Sequence, residues 1–189
     1  MNELTKDEAK AIFGKAKIWS QPILVQYLSG IGFADELFAA GKIKGTEPTS
    51  LKAYENGLVI EVMVGFSFRR TGILYNDIRY MTIEPKEWIV REKDKSVVGR
   101  AILGGLVAGP MGAMVGSISG AGKKSVKVST EPDNLLIICT NNGKLLAFGL
   151  KDKHVKHATD FITRECCGKL KSQAQLEIEN MQSNLDFSK

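Results

Sequence analysis

"LKAYENGLVIEVMVG", residues 51–65, marks the point where the sequence changes period. Ahead of it, apolar residues recur at three- and four-residue steps. Within it they form two short runs separated by Asn56-Gly57, a dipeptide that tolerates the positive φ angles of a tight hairpin. The reading is two antiparallel strands joined by a turn. "FSFRRTGILY" (66–75), "DIRYMTIE" (77–84) and "EWIVREK" (87–93) continue the pattern, with Asn76-Asp77 and Glu84-Pro85 as turns. "KSVKVST" (124–130), "NLLIICT" (134–140) and "KLLAFGL" (144–150) resume it, joined by Pro132-Asp133 and Asn141-Asn142-Gly143. Apart from the connection over 99–124, these links are too short for parallel crossovers, so about eight strands predict an antiparallel sheet.

Both flanks read as helix. Thr5 and Glu8 form a capping box, and Ala9, Ile12, Phe13, Ala16 and Trp19 follow at helical spacing. Ser20-Gln21-Pro22 interrupts this pattern, and a second helix is predicted through Leu24, Tyr27, Leu28, Ile31 and Leu37 to Gly41, weakened by Gly30 and Gly32. Residues 1–45 therefore read as an N-terminal helical segment and 51–189 as the main domain. At its end, Asp152 is the expected cap of a helix whose face is Val155, Ala158, Phe161, Ile162 and Cys166. Leu170, Ala174, Ile178, Met181 and Leu185 extend the pattern to about residue 186, which as one helix would run about 50 Å.

An antiparallel meander closed by a C-terminal helix is the pattern of pleckstrin-homology-like (PH-like) domains. The chain from about Leu51 to Cys166 resembles the bacterial PH-like group, on "GILYNDIRYMTIE" (72–84) and on "KLLAFGLKDKHVKHATDFI" (144–162), a last strand feeding directly into the capping helix. The resemblance implies an α+β fold: a PH-like antiparallel β-barrel or sandwich, capped by a C-terminal helix, with N-terminal helices and an inserted Gly-rich helical hairpin. It also implies a binding module rather than an enzyme. Many such domains bind phosphoinositides through a basic loop between their first two strands. On this reading that place holds only "ENG" (55–57), so phosphoinositide specificity is not carried over.

The insertion is the unusual part. "AILGGLVAGPMGAMVGSISGAG" (101–122) contains no charged residue, although 25% of the chain is charged. A nucleotide loop does not fit it. The nearest approach to a P-loop is "SISGAGKK" (117–124), where Ser117 replaces the first glycine and Lys124 the hydroxyl residue, and no G-x-G-x-x-G is present. Instead, Ala108, Gly112, Gly116 and Gly120 fall every four residues, and Ala101, Gly105, Gly109 and Ala113 form a second row. On helices these rows are smooth grooves that let another backbone approach closely. The glycines would cost an isolated helix roughly 6 kcal/mol against alanine, so a close partner or a lipid environment is required. Gly109-Pro110 breaks the stretch near its middle, giving two short helices of about 14 Å packed as a hairpin. Arg100, Lys123 and Lys124 would meet at its base. Three environments remain open for it: a bilayer, another protein chain, or the hairpin's own domain.

Composition adds bounds. A chain of 189 residues with 43% hydrophobic residues and a formal net charge of +5 is an ordinary globular protein, its cations scattered rather than blocked. Cys139, Cys166 and Cys167 make no disulfide framework, and "MNELTKDEAKAIFGK" has no apolar signal run, so a reducing, cytoplasmic setting is expected, peripheral to the inner face of a membrane where the hairpin meets lipid. No catalytic, cofactor-binding or metal residues are assigned. His154 and His157 lack converging ligands, and neither a nucleophile elbow nor an H-E-x-x-H helix occurs. The expected partners are a membrane surface or a protein, including a second copy through the hairpin or the C-terminal helix. The alternatives are a nucleic-acid face of Arg69, Arg70, Tyr75, Arg79 and Tyr80, which strand alternation would split between two sides, and an enzyme of unrecognised type.

Overall fold

The computed structural model describes residues 2–43, 48–85, 132–166, 168–172 and 175–176. Helix α1 (Lys6–Phe13) leads into strand β1 (Ile23–Ser29) and helix α2 (Gly32–Ala39). Strands β2 (Pro48–Ala53), β3 (Gly57–Val64), β4 (Ser67–Leu74) and β5 (Ile78–Pro85) follow, then β6 (Asn134–Thr140), β7 (Leu145–Leu150) and helix α3 (Asp152–Glu165). The strands form one antiparallel sheet in the order β4-β3-β2-β1-β7-β6-β5. A single core takes side chains from all seven strands, among them Tyr27, Leu51, Ile60, Ile73, Met81, Leu136 and Phe148. The sheet must therefore curl around that core, and α3 closes it with Ala158, Phe161, Ile162 and Cys166.

The hairpin read at Asn56-Gly57 and the strands read at 66–75, 77–84, 134–140 and 144–150 are present, but Gly57 opens β3 without a positive φ and is set by close approach of Ile73 O and Phe13 instead. The readings at 87–93 and 124–130 lie outside the described residues, as does the whole 99–124 stretch.

Three helical readings are corrected. The capping box of α1 forms as predicted, with Glu8 N–H on Thr5 Oγ1 at 3.2 Å and Thr5 N–H on Glu8 Oε2 at 2.7 Å. The helix nevertheless stops at Gly14, whose φ is +81° and whose Lys15 neighbour donates its N–H to Glu55. The next residues lie along β2, with Lys17 N–H on Ala53 O at 2.9 Å, so Trp19 is 95% exposed rather than on a helical face. Phe13 packs over Gly57 and Gly72, where any Cβ would strike its ring.

The predicted second helix is β1 over its first half. Leu24, Leu28 and Ile31 fit a helical step, but Ile23, Val25 and Tyr27 fit an alternating one. The strand wins because β2 and β7 pair with it on both sides. Only Gly32–Ala39 is helical, held by Asp35: the Tyr27 hydroxyl donates to Asp35 Oδ1 at 2.5 Å and accepts from Ile31 N–H at 3.0 Å. Burial pushes both the Tyr27 hydroxyl and the Asp35 carboxyl above their ordinary pKa, and for Asp35 the hydrogen bonds it accepts from Tyr27 and Gly30 offset burial in part.

The long C-terminal helix ends after 14 residues, at Glu165. Lys151, not Asp152, is its N-cap residue, and Asp152 instead accepts from Asn134 Nδ2 at 2.7 Å. Gly168 adopts φ +73°, and the chain turns to run beside β5.

Replacing Tyr27 with phenylalanine removes the donor to a half-buried carboxyl. Stability is expected to fall by about 1–3 kcal/mol, read from the urea midpoint at unchanged m-value.

Candidate functional site

The Gly-rich stretch, with Arg100, Gly105, Gly109, Gly112, Gly116, Gly120, Lys123 and Lys124, lies outside the described residues, but the two ends of the 86–133 connection that contains it are described. Strands β5 and β6 bracket it. Pro85, the last residue of β5, stands opposite Asn134, the first of β6, in an antiparallel ladder. Opposed Cα atoms in such a ladder are about 4.5–5.5 Å apart, so the chain leaves and re-enters the barrel within one strand spacing.

The re-entry side is pinned to the corner between β7 and α3. Asp133 N–H donates to Leu150 O at 3.1 Å, Asp152 N–H donates to Asp133 Oδ2 at 3.2 Å, and Lys151 Nζ lies 3.9 Å from Asp133 Oδ1. Gly149 completes the fit, because a Cβ there would lie 2.6 Å from Pro132 Cβ. On the departing side, Glu84 is buried beside Thr82, whose hydroxyl donates to Glu84 Oε1 at 2.5 Å. Burial raises the Glu84 pKa, and the Thr82 hydrogen bond offsets this only in part.

Strand β6 is buried on both faces. Leu136 and Ile138 enter the main core, while Leu135 and Ile137 join Leu28, Ala147 and Leu176 on the outer side. The unbroken run "LLIIC" carried that signal, since strands covered on both faces lose their alternation. Leu28 and Leu176 were missed, because each belongs to a segment read as helix.

A family model described as "Glycine zipper containing PH domain" matches residues 52–147, half of the chain. The chain belongs to that family. No curated protein matches it. The matched region of this glycine zipper PH domain runs from within β2 to within β7, so β1 and α3, which complete the barrel, lie beyond it. Because β1 precedes β2, the "ENG" turn joins the second and third strands, not the first two. The link between β1 and β2 is residues 30–47, which holds Lys42 and Lys44 against Asp35, Glu36 and Glu47. It is not a basic loop, and the apolar side of α2 (Phe33, Leu37, Phe38) packs against the core.

The five residues of the nucleic-acid reading do not form one surface. Arg69 pairs with Glu3 at 3.1 Å and Arg70 with Glu61 at 2.8 Å. The Tyr75 hydroxyl donates to Tyr54 O, while Tyr80 packs in the outer cluster on the other half of the sheet. Among the described residues no three His, Cys, Asp or Glu side chains gather as metal ligands. His157 Nε2 lies 3.4 Å from Pro22 O, and Cys139 and Cys166 are both buried.

The two buried carboxylates of the sheet respond oppositely to pH. Burial raises the Glu61 pKa, but its contacts to Lys52 at 2.6 Å and Arg70 at 2.8 Å outweigh burial and hold it below the usual value. A lowered folded pKa stabilises above the unfolded value of 4.5 and is lost as pH falls through the folded pKa. Glu84, raised, contributes its stability below the unfolded value of 4.5 and loses it as pH rises through the folded pKa. Glu61→Gln should therefore lower Tm at pH 7 and converge with the parent as pH falls through the lowered folded pKa of Glu61. Glu84→Gln should raise Tm at pH 7, with the gain shrinking on acidification. Calorimetry of both variants between pH ~3.5 and ~7.5 checks the two signs.

Proposed function

We propose that this protein is a non-enzymatic PH-like carrier that attaches peripherally to the cytoplasmic face of a membrane through its glycine zipper. The observation that carries the reading is the uncharged stretch 101–122 within a connection, 86–133, whose flanking residues Pro85 and Asn134 are paired ends of β5 and β6. A connection that leaves and re-enters the same strand pair must come back to the side it left, so 101–122 cannot make the only crossing of a bilayer. It either returns or stays on one side, and Gly109-Pro110 supplies the break for a return. Among the described residues no helix is long and apolar enough to cross a membrane.

Chemistry supports the same assignment. Small residues every four positions suit close helix contact where lipid offers no hydrophobic drive, and the flanking Arg100, Lys123 and Lys124 suit anionic head groups. Packing of the same rows against a second protein is the other outcome the test separates.

Co-sedimentation with liposomes of neutral and of anionic composition should show the full chain binding the anionic ones, with added salt weakening it. Deletion of residues 101–122 should abolish binding. Gly112→Leu with Gly116→Leu should reduce it at least about tenfold while the sheet's circular dichroism and melting are retained. Equal binding by parent and deletion would sink the proposal. Binding by neither, with the deletion alone losing self-association in light scattering, would move the stretch to a protein interface.

A further inference from the structure

An exposed apolar turn lies at one end of α3 and the root of the 86–133 connection at the other. At the helix start, Asp152 N–H donates to Asp133 Oδ2 at 3.2 Å, which ties the returning chain there. At the helix end, Lys17 Nζ pairs with Glu165 Oε2 at 3.0 Å. Ser20 N–H donates to Lys17 O at 3.0 Å and closes a turn whose two central residues are Ile18 and Trp19. Turn centres favour Gly, Pro, Asn, Asp and Ser, yet these side chains are large, apolar and 88% and 95% exposed. The turn is nevertheless fixed in place: Lys17 N–H donates to Ala53 O at 2.9 Å, and His157 Nε2 lies 3.4 Å from Pro22 O.

Between these ends the outward side of α3 is basic. Helical spacing puts Lys153, His157, Asp160 and Arg164 on one line, with Lys156 beside it, opposite Ala158 and Ile162 in the core. Lys153, Lys156 and Arg164 are exposed, and Asp160 is the acid among them. Glu165 is buried and held by Lys17 and by Arg164 Nε at 2.8 Å. Arg164 and Trp19 line one concavity, so the basic line runs into the turn. We infer that this face, the basic line of α3 with the Ile18-Trp19 turn, is the surface laid on an anionic bilayer, the turn entering the interface. The inference rests on membrane attachment through the glycine zipper. Charge and position choose lipid as the occupant. The cations complement anionic head groups, an indole settles at head-group level, and the face is continuous with the root of the connection, about 21 Å away along the 14 residues of α3.

The full chain with phosphatidylcholine vesicles, with and without phosphatidylserine, tests it. The emission lost in Trp19→Phe isolates this indole from Trp88. On the anionic vesicles it should move to the blue and lose most of its quenching by iodide. Lys153→Gln with Lys156→Gln, and separately Ile18→Ser with Trp19→Ser, should each weaken co-sedimentation about tenfold at unchanged melting temperature, because all four side chains are exposed. A parent that sediments with the vesicles while Trp19 stays open to iodide, or variants that bind as the parent does, overturn this face and leave the zipper reading standing. A parent that does not sediment overturns both. A blue shift that grows with protein concentration in the absence of vesicles assigns the turn to a protein contact and likewise overturns the inference.

Discussion

The pairing of β1 with β7 is the contact on which the rest of this barrel depends. Gln26 stands opposite Gly149 and Tyr27 opposite Phe148, joining residues far apart in the chain. It turns two meanders, β1 to β4 and β5 to β7, into one curled sheet. Tyr27 and Phe148 meet edge to face across the seam at 6.4 Å between ring centroids. The same pairing brings Gln26 and Pro132 together over the Cα of Gly149, so the seam also sets where the 86–133 connection returns to the sheet.

A curled sheet that does not close leaves two edges, and an edge is a template for unwanted pairing. Both are covered by the chain's own ends. At β4, Leu4 N–H donates to Arg70 O at 2.8 Å and Thr71 Oγ1 to Asn2 O at 2.8 Å, and α1 behind them is anchored by Phe13. At β5, the strap after α3 does the same through Met81. The two covers differ in what holds them: a capped helix packed on Tyr54 and Val59 on one side, a short turn with two leucines on the other.

Family membership and geometry meet at the insertion root. The described sheet offers a frame whose β5 and β6 ends lie side by side, and the connection between them carries the longest uncharged stretch of the sequence. Charge is arranged accordingly: among the described residues Arg69, Arg70 and Lys52 are engaged in ion pairs on the sheet. The basic residues flanking the stretch, Arg100, Lys123 and Lys124, therefore matter more to the proposed attachment than the net charge of the whole chain.

By itself the sequence determined the local pieces whose signals are short-range. The Thr5–Glu8 box, the Asn56-Gly57 and Asn142-Gly143 turns, the strands from β2 to β7 and the buried face of α3 were legible, because each rests on residues within a few positions of one another. The glycine rows are a sequence pattern of the same short range, and they lie outside the described residues. Tertiary structure decided β1, the end of α3 and the exposure of Trp19. Residues 23–31 carry helical and strand periods together, and only the hydrogen bonds offered by β2 and β7 separate them. Leu170 and Leu176 continue the periodicity of α3, yet the unmet backbone groups of Met81 at the sheet edge draw the chain out of the helix. In each case a distant strand supplied the partner that the local sequence does not contain.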